Sequence, residues 1–211
     1  MLAAFLLAGA TLPAQNEKEA RVSLPDSIVE IPALTHFPAA ARPRPTVVRT
    51  ALTAGENAEE LDIEFALRMR DFEELQARVQ RGELIPPAEM AAKYYPLAAD
   101  HDVLLAWLLA RGFTVTRTDP NHLAIFARGK ISLLREALRT DFARVAYEGA
   151  EFSSAVSAPT MPAGLAAPLL GINGLQPHLR PHRHTALEQY RPLFSNRPPY
   201  SPAEILRTYG G

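Results

Sequence analysis

Between residues 61 and 70 the side chains alternate: Leu61, Ile63, Phe65, Leu67 and Met69 are apolar, while Asp62, Glu64, Ala66, Arg68 and Arg70 between them are polar or small. A period of two over ten residues predicts a strand with one buried and one wet face. The period then lengthens. Asp71 stands three residues before Glu74, the spacing of a capping box, and predicts a helix to about Arg81 with Gly82 beyond its end. Pro86 and Pro87 open a second short helix through Lys93, which Pro96 stops. A third helix is expected from Asp100 or His101 to Arg111, with Leu104, Trp107, Leu108 and Arg111 at helical spacing and Gly112 closing it. Residues 113–116 and 123–127 read as two strands joined by a tight turn at Asp119, Pro120 and Asn121. Ile131, Leu134 and Leu138 mark one face of a helix over 130–139, and two short strands follow around Gly149 between residues 144 and 156.

Strand, helices, strand, strand, helix, strand is the order of the split β-α-β, ferredoxin-like arrangement. The expected class is therefore α+β: an antiparallel sheet with helices on one face, and extended N- and C-terminal segments. The compact unit is placed at residues 60–156, after an extended, proline-spaced lead-in over 15–59. Nine of the 19 prolines fall between Pro159 and Pro202, so residues 157–199 read as an extended linker whose freedom is restricted in advance. Residues 200–211, from Tyr200 to Gly211, read as the first helix of a further domain. Residues 1–14 are apolar, too short to span a bilayer, and followed by a charged stretch. They are expected to be an export signal without a basic start, cleaved after Ala10 or Ala14.

With 211 residues and 47% hydrophobic content, the chain can bury one substantial core. Its 22 basic and 23 acidic residues leave a net charge of −1 with no long run of either sign, which disfavours nucleic acid and anionic membranes as partners. The absence of cysteine excludes disulfides and thiolate chemistry.

Chemistry-bearing motifs are few. The sequence has no glycine-rich phosphate loop, no G-x-S-x-G elbow and no H-E-x-x-H. His178, His182 and His184 have spacing that could serve a metal, but a proline-rich connector lacks the oriented surroundings that metal ligands need, so a solvated or interface-lying linker is expected. Asp100, His101 and Asp102 read as helix-start polar residues whose neighbouring side chains point in different directions. Ser153 and Ser154 read as strand surface with no base in reach, Trp107 as core, and Tyr94 with Tyr95 as a lid on the core. No catalytic, cofactor-binding or metal residue is assigned, and no cofactor is expected in this chain.

Six blocks resemble one family. They are Ile85-Pro-Pro-Ala-Glu-Met-Ala-Ala-Lys-Tyr-Tyr-Pro96, Trp107-Leu-Leu-Ala-Arg-Gly-Phe-Thr-Val115, Asn121-His-Leu-Ala-Ile-Phe-Ala-Arg-Gly129, Ala137-Leu-Arg-Thr-Asp-Phe142, Ser157-Ala-Pro-Thr-Met-Pro162 and Gly171-Ile-Asn-Gly-Leu175. In this order they are similar to the activation domain, or propeptide, of sedolisin and kumamolisin serine-carboxyl peptidases. The resemblance implies a secreted zymogen whose propeptide assists folding of its peptidase, blocks the cleft, and is cut away in acid. It implies a sedolisin-type peptidase domain as partner, in cis or in trans, with calcium expected only in that domain. The family's catalytic Glu–Asp pair four residues apart and its S-G-T-S nucleophile motif have no counterpart here. The sheet or helical face is expected to dock on the peptidase, the tail beyond Pro159 to lie in its cleft, and processing to fall between His182 and Pro199. Acid release is assigned either to Glu148 and Glu151 or to His182 and His184. The rivals are a free-standing inhibitor acting in trans, a ferredoxin-like RNA or small-molecule module, and an enzyme in its own right. Near-zero charge and a missing aromatic platform count against RNA, and no nucleophile, base and orienting group assemble from the motifs.

Overall fold

The structure is a computed structural model that describes residues 20–31 and 44–179. These belong to the first of two compact units, Met1–Arg180 and Pro181–Gly211. The expected export signal at 1–14, His182, His184, the processing stretch and the helix expected at 200–211 lie outside the described residues.

In chain order the elements are β1 (Arg21–Ser23), a 3-10 turn at Pro25–Ser27, β2 (Thr46–Arg49), α1 (Ala54–Ala58), β3 (Glu60–Leu67) and α2 (Phe72–Gln80). Next come α3 (Pro87–Glu89), running into a π-helical turn at Met90–Tyr94, then α4 (Ala98–Arg111), β4 (Thr114–Thr118), β5 (Ala124–Lys130) and α5 (Ile131–Leu138). The last are β6 (Phe142–Tyr147), β7 (Ala150–Ala155), β8 (Thr160–Pro162), α6 (Ala163–Ala166), β9 (Leu169–Asn173) and a 3-10 turn at Pro177–Leu179.

The principal sheet has the order β4-β5-β3-β9, with every neighbouring pair antiparallel. With α4 between β3 and β4 and α5 between β5 and β9, this is the ferredoxin-like order expected from the sequence. The alternation along β3 sends Leu61, Ile63, Phe65 and Leu67 inward. There they meet Leu104 and Leu108 of α4 and Ile131, Leu134 and Leu138 of α5 in one apolar cluster. Phe65 is fully buried, edge-on to Phe113 at 6.3 Å. Burying a side chain of this size contributes about 1.5–3 kcal/mol. Trp107 is half-buried and stacks on Phe113 at 6.4 Å, as its helical spacing predicts.

The strand that closes the sheet is not the one expected. The strands at 142–155 pair with each other and with β2, forming a separate sheet of order β2-β6-β7. The closing strand is β9, in register with β3 so that Phe65 faces Ile172. The folded body therefore runs to Leu179, and the boundary at residue 156 is corrected. Leu169, Ile172 and Leu175 are buried in the main core, which an extended linker would leave wet. The prolines read as linker punctuation instead mark element ends: Pro162 closes β8 and Pro177 opens the last turn.

The lead-in is also folded where it is described. β1 pairs with β8, β2 with β6, and α1 carries a complete capping box between Thr53 and Glu56. These elements are too short for their periodicity to rise above the surrounding prolines. The cap expected at Asp71 is absent: that residue sits at φ 44 in a left-handed turn leaving β3, and its side chain caps nothing. The same S/T-x-x-E logic was satisfied eighteen residues earlier, at Thr53.

Candidate functional site

The face of the principal sheet turned away from the core carries no helix among the described residues. Its side chains are exposed or half-buried: Asp62 and Glu64 from β3, Thr116 and Arg117 from β4, Phe126 from β5 and Asn173 from β9 line a shallow depression of about 350 Å³. Arg117 lies with its guanidinium 3.9 Å above the Phe126 ring. Arg128 grips Asp62 with two hydrogen bonds of 2.8 and 3.2 Å, and the Asn173 amide donates to Glu64 at 3.2 Å. The surface thus offers an aromatic floor with mixed charges around it. Such a patch suits a protein surface, and it holds no nucleophile or base pair able to do chemistry.

Where the two sheets meet, Glu56 is buried with its carboxylate almost saturated. It accepts from the Thr53 hydroxyl at 2.6 Å and backbone N–H at 2.7 Å, from Arg49 at 2.7 Å and from Arg144 at 2.6 Å. The Thr53 bonds, with the Arg144 bond next and the Arg49 bond behind it, hold the Glu56 carboxyl far below the usual carboxylate range against the opposing effect of burial. Arg144 also reaches Glu151 at 2.9 Å, tying β6 to β7. Glu151, which the sequence reading reserved for an interface switch, is therefore engaged within the chain. Glu148 is exposed at the β6–β7 turn at φ 50.

Ser153 and Ser154 are both buried, which corrects their reading as strand surface. Ser153 donates to Glu59 at 3.0 Å. Ser154 Oγ lies 2.8 Å from Nδ1 of His178, across 24 residues that no local spacing rule spans. His178 is likewise buried, not part of a solvated linker, because the chain turns back after β9 and seats it between the Tyr147 and Phe152 rings. A serine beside a histidine invites a catalytic reading, but Ser154 has no exposed surface, so no substrate atom could reach it. The pair is a structural contact. Among the described residues no group of three His, Cys, Asp or Glu side chains could hold a metal ion.

His101 is buried at the start of α4, with Nδ1 3.2 Å from Asp102 and its ring 5.0 Å from that of His122. The expectation that His101 and its neighbour point apart is thus overturned: the short carboxylate folds back along the first turn. Asp102 itself is largely exposed, so no oriented array forms. Tyr94 is fully buried, its hydroxyl accepting from Arg78 at 2.9 Å and donating to Glu74 at 3.3 Å, while Tyr95 is half-buried. Tyr94 ends the π-helical turn and Tyr95 follows it, and neither belongs to the main apolar cluster that the pair was expected to cover. Glu56 and its two arginines were missed in the sequence, although the Thr53–Glu56 spacing was there to be found.

The fold defines an α+β protein of the ferredoxin-like class, with one face of the sheet left without a helix among the described residues. Comparison with known families gives the class its content. Residues 50–177 match the model of the family described as "Pro-kumamolisin, activation domain", and the chain belongs to this family. As an activation domain it is the non-catalytic region of a peptidase precursor. Among curated proteins it is similar to Xanthomonalisin of Xanthomonas sp. (strain T-22), with 28% identity over 141 residues. That match covers 63% of this chain and 17% of the relative, so the chain spans a small part of the length of that protein. Among the described residues no helix is long and apolar enough to cross a membrane.

Proposed function

We propose that this chain is the propeptide region of a secreted sedolisin-type serine-carboxyl peptidase precursor, acting as folding assistant and cleft-blocking inhibitor until it is removed in acid. The observation that carries the reading is that the family match, residues 50–177, covers the ferredoxin-like sheet from β3 to β9 and the three-stranded sheet apart from β2. The uncovered sheet face is the docking surface in this reading: Phe126 and Arg117 provide a flat stacked platform, and Asp62, Glu64 and Asn173 provide polar partners around it. The chain beyond Leu179 then leads towards the peptidase cleft. Binding to the native peptidase and not to its unfolded chain stabilises the native form by mass action, so inhibition and assisted folding use one surface.

The test is inhibition of a sedolisin-type peptidase by the purified 211-residue chain across pH. Tight inhibition near neutrality that weakens on acidification is expected, with Phe126→Ala and Arg117→Glu weakening it at every pH. A chain that neither binds nor inhibits the peptidase overturns the reading.

A further inference from the structure

The last described element, the 3-10 turn at Pro177–Leu179, packs on β7 through a small set of contacts. The Leu175 carbonyl accepts from the Ala155 N–H at 3.0 Å. The Gln176 amide donates to the carbonyls of Ala155 and Val29, each at 2.9 Å, and accepts from the Val29 N–H at 2.7 Å. His178 completes the set. Its ring, 1% exposed, lies 6.1 Å from that of Tyr147 and 6.5 Å from that of Phe152; among the described residues Ser154 is its hydrogen-bond partner and Nε2 has none.

We infer that His178 is an acid-sensitive latch: proton uptake by its imidazole unseats the Pro177–Leu179 turn from β7. The purpose of such a latch, loosening of this turn in acid, rests on the propeptide reading above, whereas the latch itself is a property of this chain alone.

The chemistry of the seat carries the inference. A neutral imidazole bears one N–H, and one bond to Ser154 leaves a single nitrogen unsatisfied. The cation bears two N–H groups, so Nε2–H would be a buried donor with no acceptor, carrying charge into an apolar slot. The titratable and charged groups near the seat do not relieve this. From β6 come the Tyr147 ring and Arg144, the latter engaged with Glu56 and Glu151; from β7 comes Glu151, and Ser153 turns instead to Glu59. The N-terminal segment that reaches Gln176 through Val29 contributes the neighbouring Glu30, which is exposed. None of these makes a hydrogen bond or ion pair with the imidazole. Burial accordingly pushes the His178 imidazole below the ordinary histidine value of 6.5. The sign follows: the opened segment takes up its proton near 6.5 and the seated one only at lower pH. The stability of the seat is therefore full above 6.5 and declines as pH falls from there through the depressed folded value.

The test is amide hydrogen exchange of the intact 211-residue chain at pH 7 and pH 5, expressed as protection factors to remove the intrinsic pH dependence. Protection of the Ala155 and Leu179 amides, which donate to Leu175 and Gln176, is expected to fall by about five- to thirtyfold, while β3 and β5 stay protected; one linked proton allows about that range. In His178→Phe, which keeps a ring in the slot, the fall disappears. An equal fall in both chains, or no fall in the wild type, overturns the latch. Should His178→Phe not fold, an NMR titration of the His178 ring in the wild-type chain decides instead: a midpoint below that of an ordinary histidine supports the latch, and one at or above it overturns it. No peptidase enters these measurements, so failure of the latch and failure of the propeptide reading are separately visible.

Discussion

In the four-stranded sheet, β3 runs through the middle with four apolar side chains turned into a core shared with α4 and α5. In the three-stranded sheet, the joint between β2, α1 and β6 is a buried carboxylate held by a threonine and two arginines. The first joint is indifferent to protons. The second is indifferent only down to the ordinary carboxyl value of 4.5, because below it the central group, which must be ionised to accept four donors, begins to lose its advantage. The two halves of one body should therefore part company on acidification, with the β2-β6-β7 layer loosening before the ferredoxin-like sheet does.

The largest effect belongs to the apolar side. Phe65→Ala empties a fully buried position at the centre of β3 and should cost about 3–5 kcal/mol in urea unfolding at any pH where the protein is folded. A cost that depended strongly on pH would break the division between the sheets. Next is Gly174→Ala, just after β9. Gly174 sits at φ 92, and an added Cβ would lie 2.4 Å from the Asp62 carbonyl oxygen, so strain of at least about 1–3 kcal/mol is expected from the backbone alone. Calorimetry would register it as a lower melting temperature.

Glu56→Gln sharpens the contrast. The carboxyl of Glu56 is depressed below its ordinary value of 4.5, so its contribution is fully present above that value and is lost as pH falls through the folded value. The variant should be less stable at pH 7 and should show a flatter decline of stability below pH 4.5 than the wild type. An unchanged acid limb would show that other carboxylates control it. The smallest effect is expected for Arg128→Ala. Both members of the Arg128–Asp62 pair are about half exposed, at 48% and 57%, and such pairs contribute little against water and salt. Its urea midpoint should stay within error, even if binding of a partner to that face weakens.

The elements with a long, uniform period were legible in the sequence. β3, the β4–β5 hairpin, α4 and α5 each carry a pattern that their own residues establish, and they appear where that pattern puts them. β9 was not legible because Leu-Leu-Gly-Ile-Asn is five residues long and becomes a strand only by pairing with β3, roughly a hundred positions earlier. Prolines before and after it made the stretch look extended and unattached. The Glu56 cluster was half legible, since Thr53 and Glu56 have the cap spacing but Arg144 arrives from 88 residues away. Ser154 and His178 had no sequence signal linking them, and burial of both is a product of the turn after β9.

That late strand has a consequence for how the chain is made. A ribosome delivers β3 long before it delivers β9, and until residues 169–173 have emerged the nascent sheet has an unfilled edge beside its central strand. Closure must await a contact of very high sequence separation, the slow kind in folding kinetics. The sheet is thus completed almost at the moment the Pro177–Leu179 turn is synthesised, so residues made after that turn begin to appear beside a sheet that has only just closed.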